Sequence, residues 1–576
     1  MSSNTTACRR QSPGSADPKS ADPKSANRRP SVWRRVALIT AVASVTTWHS
    51  VTTWPTPAQA QEPAWRTLPL PNRLVDDRSV RQDIKTRKQK VLTRQNSLSD
   101  SQAHFDGWYE RWLFPLMTQI EPVVSEKTKE KITVRPLAEI PQRRQKLYRD
   151  FRSCKDDAVH KHLNSLTLSM MLTIVRPDED GTFHPAVRHN AMLIIGDLNE
   201  REGSSIGSNR GPPDPYAAAL PILLEEVVNP KRIDAVRSAA LVGLLRHAKM
   251  DRFRDPQQRW DQANRAKIFE SVMPLASSQQ PPEGRSLAGH TWMRRRAVEI
   301  LWNLDAALQG DELISLLDQI AGGTKESLAL RADAAHALGR ITLPPTLEPK
   351  AASLAGKLAG IAVESCMDEV LRIQARLDEE AADALKYEEG LGGRRQPGVA
   401  MSPFGGDRFN LIGPDGEELE EEKPADPRND LSRRNLKSRL YNVHIGLVGI
   451  DIARTWRPGA PSASSKQQKD VDAVVNLVNL SASSEQREDV GAVVELVEQL
   501  LELCDDGDAE PKDWMASIAE QGSQLAEVAI RLGAQLGAAD EPAIAAANVA
   551  EADDLAAEIP DEPADLPEDI PEEPAG

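Results

Sequence analysis

Histidine and acidic side chains are the residues of this chain whose spacing could bind a metal ion, and we consider them first. His160 and His162 are separated by one residue, so on a helix their rings lie on nearly opposite faces and do not chelate one ion. The run Asp178-Glu179-Asp180-Gly181 resembles part of a calcium loop but lacks the later acidic ligand at the required spacing, and Asp505-Asp506-Gly507-Asp508 is similar. We therefore expect a polar turn before Pro185 and a second acidic turn near residue 506, and no metal ligands.

Motifs with a known catalytic mechanism are absent from the sequence. It contains no HExxH, no CxxC pair, no Gly-x-Ser-x-Gly elbow, no GxxxxGKS and no strand-linked GxGxxG. The sequence thus supplies no catalytic residue, no cofactor-binding residue and no metal ligand. We predict a protein that is not an enzyme and needs no cofactor.

Four cysteines are too few for a disulfide-stapled fold of 576 residues. Cys8 lies in a segment that we expect to be removed, which leaves Cys154, Cys366 and Cys504 far apart along the chain. We expect each of the three to be a buried structural thiol. One bridge between two of them, formed in an oxidising compartment, is the alternative.

The charge of the chain is unevenly distributed. The formal charge is -15, with +6 in residues 1–60 and -18 in residues 505–576, so the middle is close to neutral. This balance excludes a globally basic, phosphate-coating protein. On a helix the side chains of Arg294, Arg295 and Arg296 point in different directions and do not form one basic surface. We therefore predict no nucleic-acid partner.

A short pattern of an apolar residue, arginine, two variable residues and alanine recurs in the middle of the chain. Its four copies begin at Val187, Val236, Met293 and Leu330. Seven residues after each arginine stand Ile195, Leu244, Leu301 and Leu338, and ten residues after stand Leu198, His247, Leu304 and Ile341. The spacing of these apolar residues defines one face of an α-helix, and only His247 interrupts it.

Each of these helices follows another amphipathic segment. The four predicted first helices are Asp157–Ile174, Tyr216–Val228, Asn264–Met273 and Asp311–Ile320. Two-helix units that cannot close a core alone bury a continuous core when they are stacked, which predicts an α-solenoid. The insertions Ser204–Pro215 and Ser277–Gly289 are expected as loops that could carry recognition.

The repeated segment resembles the second helix of HEAT-type, armadillo-like repeats, which typically carries Val-Arg-x-x-Ala, then an apolar pair and often glycine. The resemblance covers about residues 157–342. It implies an all-α superhelical fold that binds other proteins. The family often has an aspartate six residues before the arginine, which forms a polar ladder between repeats, whereas this chain has Thr182, Lys231, Ala288 and Lys325 there. A fifth copy at Leu371 has Glu379 in place of the apolar residue, and we expect Leu354–Leu385 to be a terminal cap or one long helical pair.

The N-terminal region has the three parts of a secretory signal. Residues 1–60 are predicted to be a disordered basic tail followed by a signal peptide, with Arg34 and Arg35 before a short apolar run from Val36 and with Ala58-Gln59-Ala60 as the cleavage site. Export to the periplasm or cell envelope is the first prediction. The alternative is an uncleaved signal that tethers the protein to a membrane through residues 36–54.

The remaining sequence divides by composition. Residues 61–150 are predicted to be a helical extension, in which the aromatic stretch Phe105–Met117 either covers the first repeat or is an exposed anchor for a partner. The repeat domain is placed at 151–390 and a disordered linker at 391–430. A small C-terminal helical bundle is placed at 431–539, and an acidic, proline-rich disordered tail at 540–576.

These features favour an exported, non-enzymatic scaffold that binds a protein or an envelope polymer along an α-solenoid surface. A second hypothesis is an enzyme or enzyme subunit whose site is built from the repeat insertions. A third is a membrane-anchored structural protein, which differs from the first only in whether residues 36–54 are retained.

Overall fold

The computed structural model describes most of the chain after residue 64. The described residues are 65–176, 181–203, 212–251, 254, 257, 259–304, 310–341, 343–392, 427–450, 477–481, 483–506 and 509–536. All of them lie within one compact unit, Ala64–Gly576. The predicted signal, the acidic tail and most of the predicted linker lie outside the described residues.

The first part of the fold is a group of helices around an aromatic core. The helices are α1 (Asn72–Asp76), α2 (Arg78–Leu92), α3 (Leu98–Trp108), α4 (Phe114–Thr118) and α5 (Ile140–Ser153), with a π-helical turn at Tyr109–Leu113 between α3 and α4. The side chains of Phe105, Tyr109 and Phe114 are fully buried. The Tyr109 hydroxyl donates a hydrogen bond to Asp150 at 3.0 Å, which fixes the aromatic segment against α5.

The middle of the chain is a series of paired helices. They are α6 (Asp157–Val175), α7 (Pro185–Asp197), α8 (Leu220–Val228), α9 (Asp234–Asp251), α10 (Gln262–Ser277), α11 (Leu287–Asn303), α12 (Asp311–Gly322) and α13 (Leu328–Leu338). Asp156, Asp261, Ser286 and Ser327 cap four of these helices by accepting hydrogen bonds from backbone N–H groups. The pairing follows the sequence pattern, since α6 packs on α7, α8 on α9, α10 on α11 and α12 on α13.

The second helices of these pairs also pack on one another in sequence order. Helix α7 contacts α9, α9 contacts α11 and α11 contacts α13. Ile195, Leu244, Leu301 and Leu338, the apolar residues seven positions after each arginine, are all completely buried in one hydrophobic core. Each of the four arginine-centred segments therefore contributes a buried residue to the same core.

The C-terminal helices continue that core. They are α14 (Ala351–Gly392), α15 (Pro427–Val448), α16 (Leu477–Leu480), α17 (Ser484–Asp505) and α18 (Pro511–Arg531). Helix α15 packs on α13, and α18 packs on α14 and α17. The contact between α13 and α15 is so close that a methyl group on Gly339 would overlap the carbonyl of Ile445.

The fifth copy of the arginine motif lies in the single long helix α14 and does not begin a second helix. Leu371 is 58% exposed, and Arg372 pairs with Asp368 one turn earlier in the same helix. Helix α14 therefore differs from the four repeats, although its N-terminal half is buried like theirs.

The described residues are predominantly helical, so the all-α prediction is confirmed at that level. Within them, the extended structure is a short antiparallel pair, β1 (Asn199–Arg201) and β2 (Asp214–Pro215), and two isolated bridges. Strand β2 forms the end of the predicted insertion Ser204–Pro215, of which residues 204–211 lie outside the described part.

Candidate functional site

The arginine of each repeat has the same structural role. Its Nε donates a hydrogen bond to a carbonyl oxygen in the last turn of the preceding first helix. The four pairs are Arg188 with Val175 at 3.0 Å, and Arg237 with Val227, Arg294 with Ala276 and Arg331 with Ala321, each at 3.1 Å. The last carbonyls of a helix have no partner within the helix and carry its negative dipole end, so a buried guanidinium satisfies them.

Two of these arginines also bind a carboxylate from the next structural layer. Arg294 forms a bidentate pair with Glu326, with distances of 2.5 and 2.9 Å, and Arg331 forms one with Glu364 on α14. These glutamates take the place of the aspartate ladder that the sequence lacks. The polar connection between layers therefore comes from residues 32 and 33 positions after the arginines.

His247 occupies an apolar position without breaking the core. It is 1% exposed, and burial lowers its pKa to about 3, with Arg246 and Arg254 contributing in the same direction. The ring stacks on Trp260 at a centroid distance of 6.3 Å. His247 is therefore a neutral aromatic residue near pH 7, which explains why the apolar stripe tolerates it.

The outward sides of the second helices form a polar surface, which we call the second-helix face. Neighbouring helices on this face are joined by polar contacts between partly exposed side chains. These are Arg144 with Asn190 at 2.9 Å, Lys249 with Glu299 at 2.5 Å, Arg295 with Asp333 at 2.7 Å and His336 with Asn442 at 2.9 Å. These contacts join α5 to α7, α9 to α11, α11 to α13 and α13 to α15. The second-helix face therefore spans most of the described stack.

A cleft of about 300 Å³ opens at the N-terminal end of the second-helix face. Tyr148 and Arg152 of α5, Asp197 of α7, Glu202 after β1 and Arg246 of α9 line it. The Tyr148 hydroxyl donates a hydrogen bond to Asp197 at 2.5 Å. Arg246 donates to the Gly196 carbonyl at 3.1 Å and to the Asn199 side chain, which joins α9 to α7 and β1.

The electrostatics of the cleft keep the Glu202 carboxylate charged. Burial alone would raise the pKa of Glu202, but hydrogen bonds with His160 and Asn199 and the charge of Arg246 outweigh it and lower the pKa. Burial and the neighbouring Asp197 raise the pKa of Tyr148 well above its ordinary value. Near pH 7 the cleft therefore presents the Glu202 carboxylate and the protonated Tyr148 phenol, beside the guanidinium groups of Arg152 and Arg246.

A second, larger cleft of about 480 Å³ lies between the loops before α11 and α13. Its titratable lining residues are Lys325 and Glu326, and Glu326 is already bound to Arg294. This cleft therefore offers fewer titratable side chains for ligand binding or catalysis than the first one.

The histidines that the sequence brought to attention bind different partners. His160 contacts Glu202 at 3.4 Å, whereas His162 contacts Asp106 of α3 at 2.6 Å. Their rings thus diverge as their spacing predicts. Within the described ranges, no group of three or more histidine, cysteine or acidic residues could hold a metal ion.

The two acidic runs are only partly described. Asp178, Glu179 and Asp180 lie outside the described residues, and so do Gly507 and Asp508. Asp505 ends α17 and forms an ion pair with Lys437 of α15. Asp505 therefore connects α17 to α15 in the structure.

The three cysteines after residue 60 are free thiols. Cys366 and Cys504 are buried and Cys154 is half-buried. Burial raises the pKa of Cys154 and of Cys504 to about 12, and it raises the pKa of Cys366 as well. Thiols of such high pKa are poor nucleophiles near neutral pH.

The basic triplet of α11 is divided between two roles. Arg294 is 2% exposed and takes the repeat position described above, whereas Arg295 binds Asp333 and Arg296 binds Glu299 at 2.9 Å on the second-helix face. The contacts of that face could not be read from the sequence, because Arg295 and Lys249 are 38 and 50 residues from their partners.

The described part of the chain contains no helix that has both the length and the apolar character needed to span a bilayer. Comparison of the whole chain with protein-family models, with curated proteins and with solved structures finds no match.

Proposed function

We propose that this protein is an exported, non-enzymatic scaffold whose HEAT-like α-solenoid binds a protein partner through the second-helix face. The observation that carries the proposal is the repeated arginine: four successive layers use the same guanidinium-to-carbonyl contact. Stacking equivalent two-helix layers produces an extended surface, and such surfaces commonly bind other proteins.

The composition of the second-helix face supports binding. Trp292 of α11 is partly exposed, with the Arg296 guanidinium 5.2 Å from its ring centroid. Tryptophan and arginine are enriched among the residues that contribute most to protein interfaces. Polar contacts between described first helices are fewer: Arg176 after α6 pairs with Glu225 of α8 at 2.7 Å, and Asp318 of α12 pairs with Lys357 of α14 at 2.5 Å.

Site-specific photo-crosslinking tests this surface. A photoreactive residue at Val242 or Trp292, on the outer side of α9 and α11, is expected to capture the same partner from the cell-envelope fraction. Ser169 of α6 and Glu270 of α10 are exposed on first helices and serve as matched controls. Capture from the control positions alone would show that the partner binds elsewhere.

Export is tested separately by N-terminal sequencing of the mature protein. A new terminus at Gln61 supports cleavage after Ala60. An intact terminus in a membrane fraction supports the anchored alternative, in which residues 36–54 are retained.

The cleft between α5, α7 and α9 favours a second candidate function, an enzyme or enzyme subunit that acts on a small polar molecule. It collects Tyr148, Asp197, Glu202 and Arg246 next to the insertion that follows β1. Thermal-shift screening of small polar metabolites tests this candidate. A ligand that stabilises the wild-type protein but not the Glu202→Gln variant would support it, whereas a ligand that stabilises both equally would place binding elsewhere.

A further inference from the structure

Exposed cations lie on both α2 and α5, close in sequence to the residues through which the two helices make contact. Lys88 of α2 and Asp150 of α5 form a nearly buried ion pair at 2.6 Å, which holds the two helices together. Six exposed cations lie within four residues of this pair; we call them the α2–α5 cluster, and they are Lys85, Arg87, Lys90, Lys146, Arg149 and Arg152.

Most cations of this cluster form no ion pair with a described residue, although Arg152 lines the same cleft as Asp197 and Glu202. Arg87 pairs with Asp83 one turn earlier, at 3.0 Å. Within the described ranges, none of the other five forms an ion pair with a carboxylate. Asp150, which lies between the cations of α5, is already bound by Lys88 and by the Tyr109 hydroxyl. Concentrated positive charge on a chain of net charge -15 is a suitable surface for a polyanion.

The chain itself carries a polyanion, whose charge is opposite to that of the cluster. Residues 540–576 contain thirteen acidic residues, six prolines and no lysine or arginine. A covalently attached segment meets its docking surface at a high effective concentration, on the order of millimolar for a suitable linker. This advantage favours the tail over an unattached polyanion such as an anionic lipid surface.

The tail is long enough to reach the cluster. The described chain ends at residue 536, where the Leu536 side chain lies against Gly360 of α14. Helices α5, α7, α9, α11, α13, α14 and α18 contact one another in that order. At 8–10 Å between neighbouring helices the path measures about 60 Å, whereas the residues after 536 extend to about 130 Å.

We propose that the α2–α5 cluster is a docking surface for the acidic C-terminal tail, residues 540–576, of the same chain. Arg152 belongs both to this cluster and to the lining of the cleft at the N-terminal end of the second-helix face. Docking at the cluster therefore places the tail beside that cleft.

The test uses a variant that ends at Ala539 and a fluorescent peptide of residues 540–576. The peptide is expected to bind this shortened protein in about 50 mM salt and to bind about tenfold more weakly in 500 mM salt, because added ions screen the exposed charges. The full-length protein is expected to bind the peptide about tenfold more weakly than the shortened one, because its own tail occupies the cluster.

Charge reversal locates the site. In the shortened protein, replacing Lys85, Lys90, Lys146 and Arg149 with glutamate is expected to abolish peptide binding. A control variant carries the same change in charge at four exposed lysines elsewhere, which are Lys267, Lys325, Lys350 and Lys512. The control is expected to keep most of the affinity, and circular dichroism verifies that both variants are folded.

Three results would overturn the proposal. The first is equal loss of binding in the cluster and control variants, and the second is equal affinity of the full-length and shortened proteins. The third is no peptide binding by the shortened protein together with cluster-dependent binding to vesicles of about 30% phosphatidylglycerol, which would identify an anionic lipid surface as the occupant.

Discussion

Arg294 on α11 and Arg149 on α5 illustrate two uses of the same side chain in one stack of helices. Arg294 is 2% exposed, donates to the Ala276 carbonyl and holds Glu326 with two hydrogen bonds. Arg149 is exposed and has no ion-pair partner among the described residues. A buried guanidinium must be fully paired because burial without partners is costly, whereas an exposed one is solvated and remains able to bind a ligand.

Some arginines of this chain hold helices together, whereas others are exposed and can bind a ligand. In the repeats, arginines connect each first helix to the second helix that follows, so these residues are part of the fold. In the N-terminal extension the exposed cations of α2 and α5 make few such contacts, and their removal should leave the packing intact. The total charge of a region therefore says little about binding until the pairing of each cation is known.

Loss of the buried arginine should have the largest effect. Arg294→Met keeps much of the side-chain volume but leaves the Glu326 carboxylate and the Ala276 carbonyl without their partner. We expect a loss of about 3 kcal/mol in the free energy of unfolding, measured by urea denaturation. Because the unpaired carboxylate causes much of this loss, the double variant with Glu326→Gln should recover part of it. A single variant as stable as the wild type would show that Arg294 is not a structural residue.

Close helix packing should produce the next largest effect. A methyl group on Gly196 of α7 would lie 2.5 Å from the Gly243 Cα on α9, so both backbones must move. We expect Gly196→Ala to cost about 2 kcal/mol in thermal or urea unfolding. Gly107 in α3 is the matched control, since a methyl group there meets nothing within 4 Å and Gly107→Ala should stabilise the helix by about 0.5 kcal/mol. Equal effects at the two positions would contradict the tight packing of α7 on α9.

The sequence was sufficient for local features and insufficient for contacts between layers. The periodicity after each arginine located α7, α9, α11 and α13, because the spacing of apolar residues on a helix is a local property. The same motif at Leu371 did not indicate a second helix: residues 351–392 contain no proline to end the helix, and α14 continues through the motif.

Contacts on the candidate surface lay beyond sequence reasoning for a physical reason. The partners Lys249 and Glu299 are 50 residues apart, and the loops between repeats differ in length, so no fixed spacing marks them. The cleft is similar, since it collects Tyr148, Glu202 and Arg246 from three separate elements. Such sites become visible only when the register between stacked helices is known.

A smaller effect is expected at Glu369 of α14, a buried acid whose surroundings contrast with those of Glu326. Burial raises its pKa, although Ser432, Arg372 and Arg439 act in the opposite direction. Its neutral form is favoured in the folded state, so its contribution to stability is fully present below the usual value of 4.5 and is lost as the pH rises through the raised value. Glu369→Gln should therefore increase the unfolding free energy near pH 7.5 by about 1 kcal/mol and have little effect near pH 4. A variant that is less stable at pH 7.5 would show that the carboxylate is well paired.

The smallest effect on stability is expected where the exposed cations lie. Arg149→Gln on α5 removes one charge from a cluster of like charges and breaks no ion pair among the described residues. We expect the unfolding free energy to change by less than about 0.5 kcal/mol, with any gain disappearing as salt screens the repulsion. The same variant should weaken binding of the 540–576 peptide, so stability and binding respond independently at this position. A loss of stability as large as that of Arg294→Met would mean that Arg149 is a structural residue, and the distinction between the two groups of arginines would be wrong.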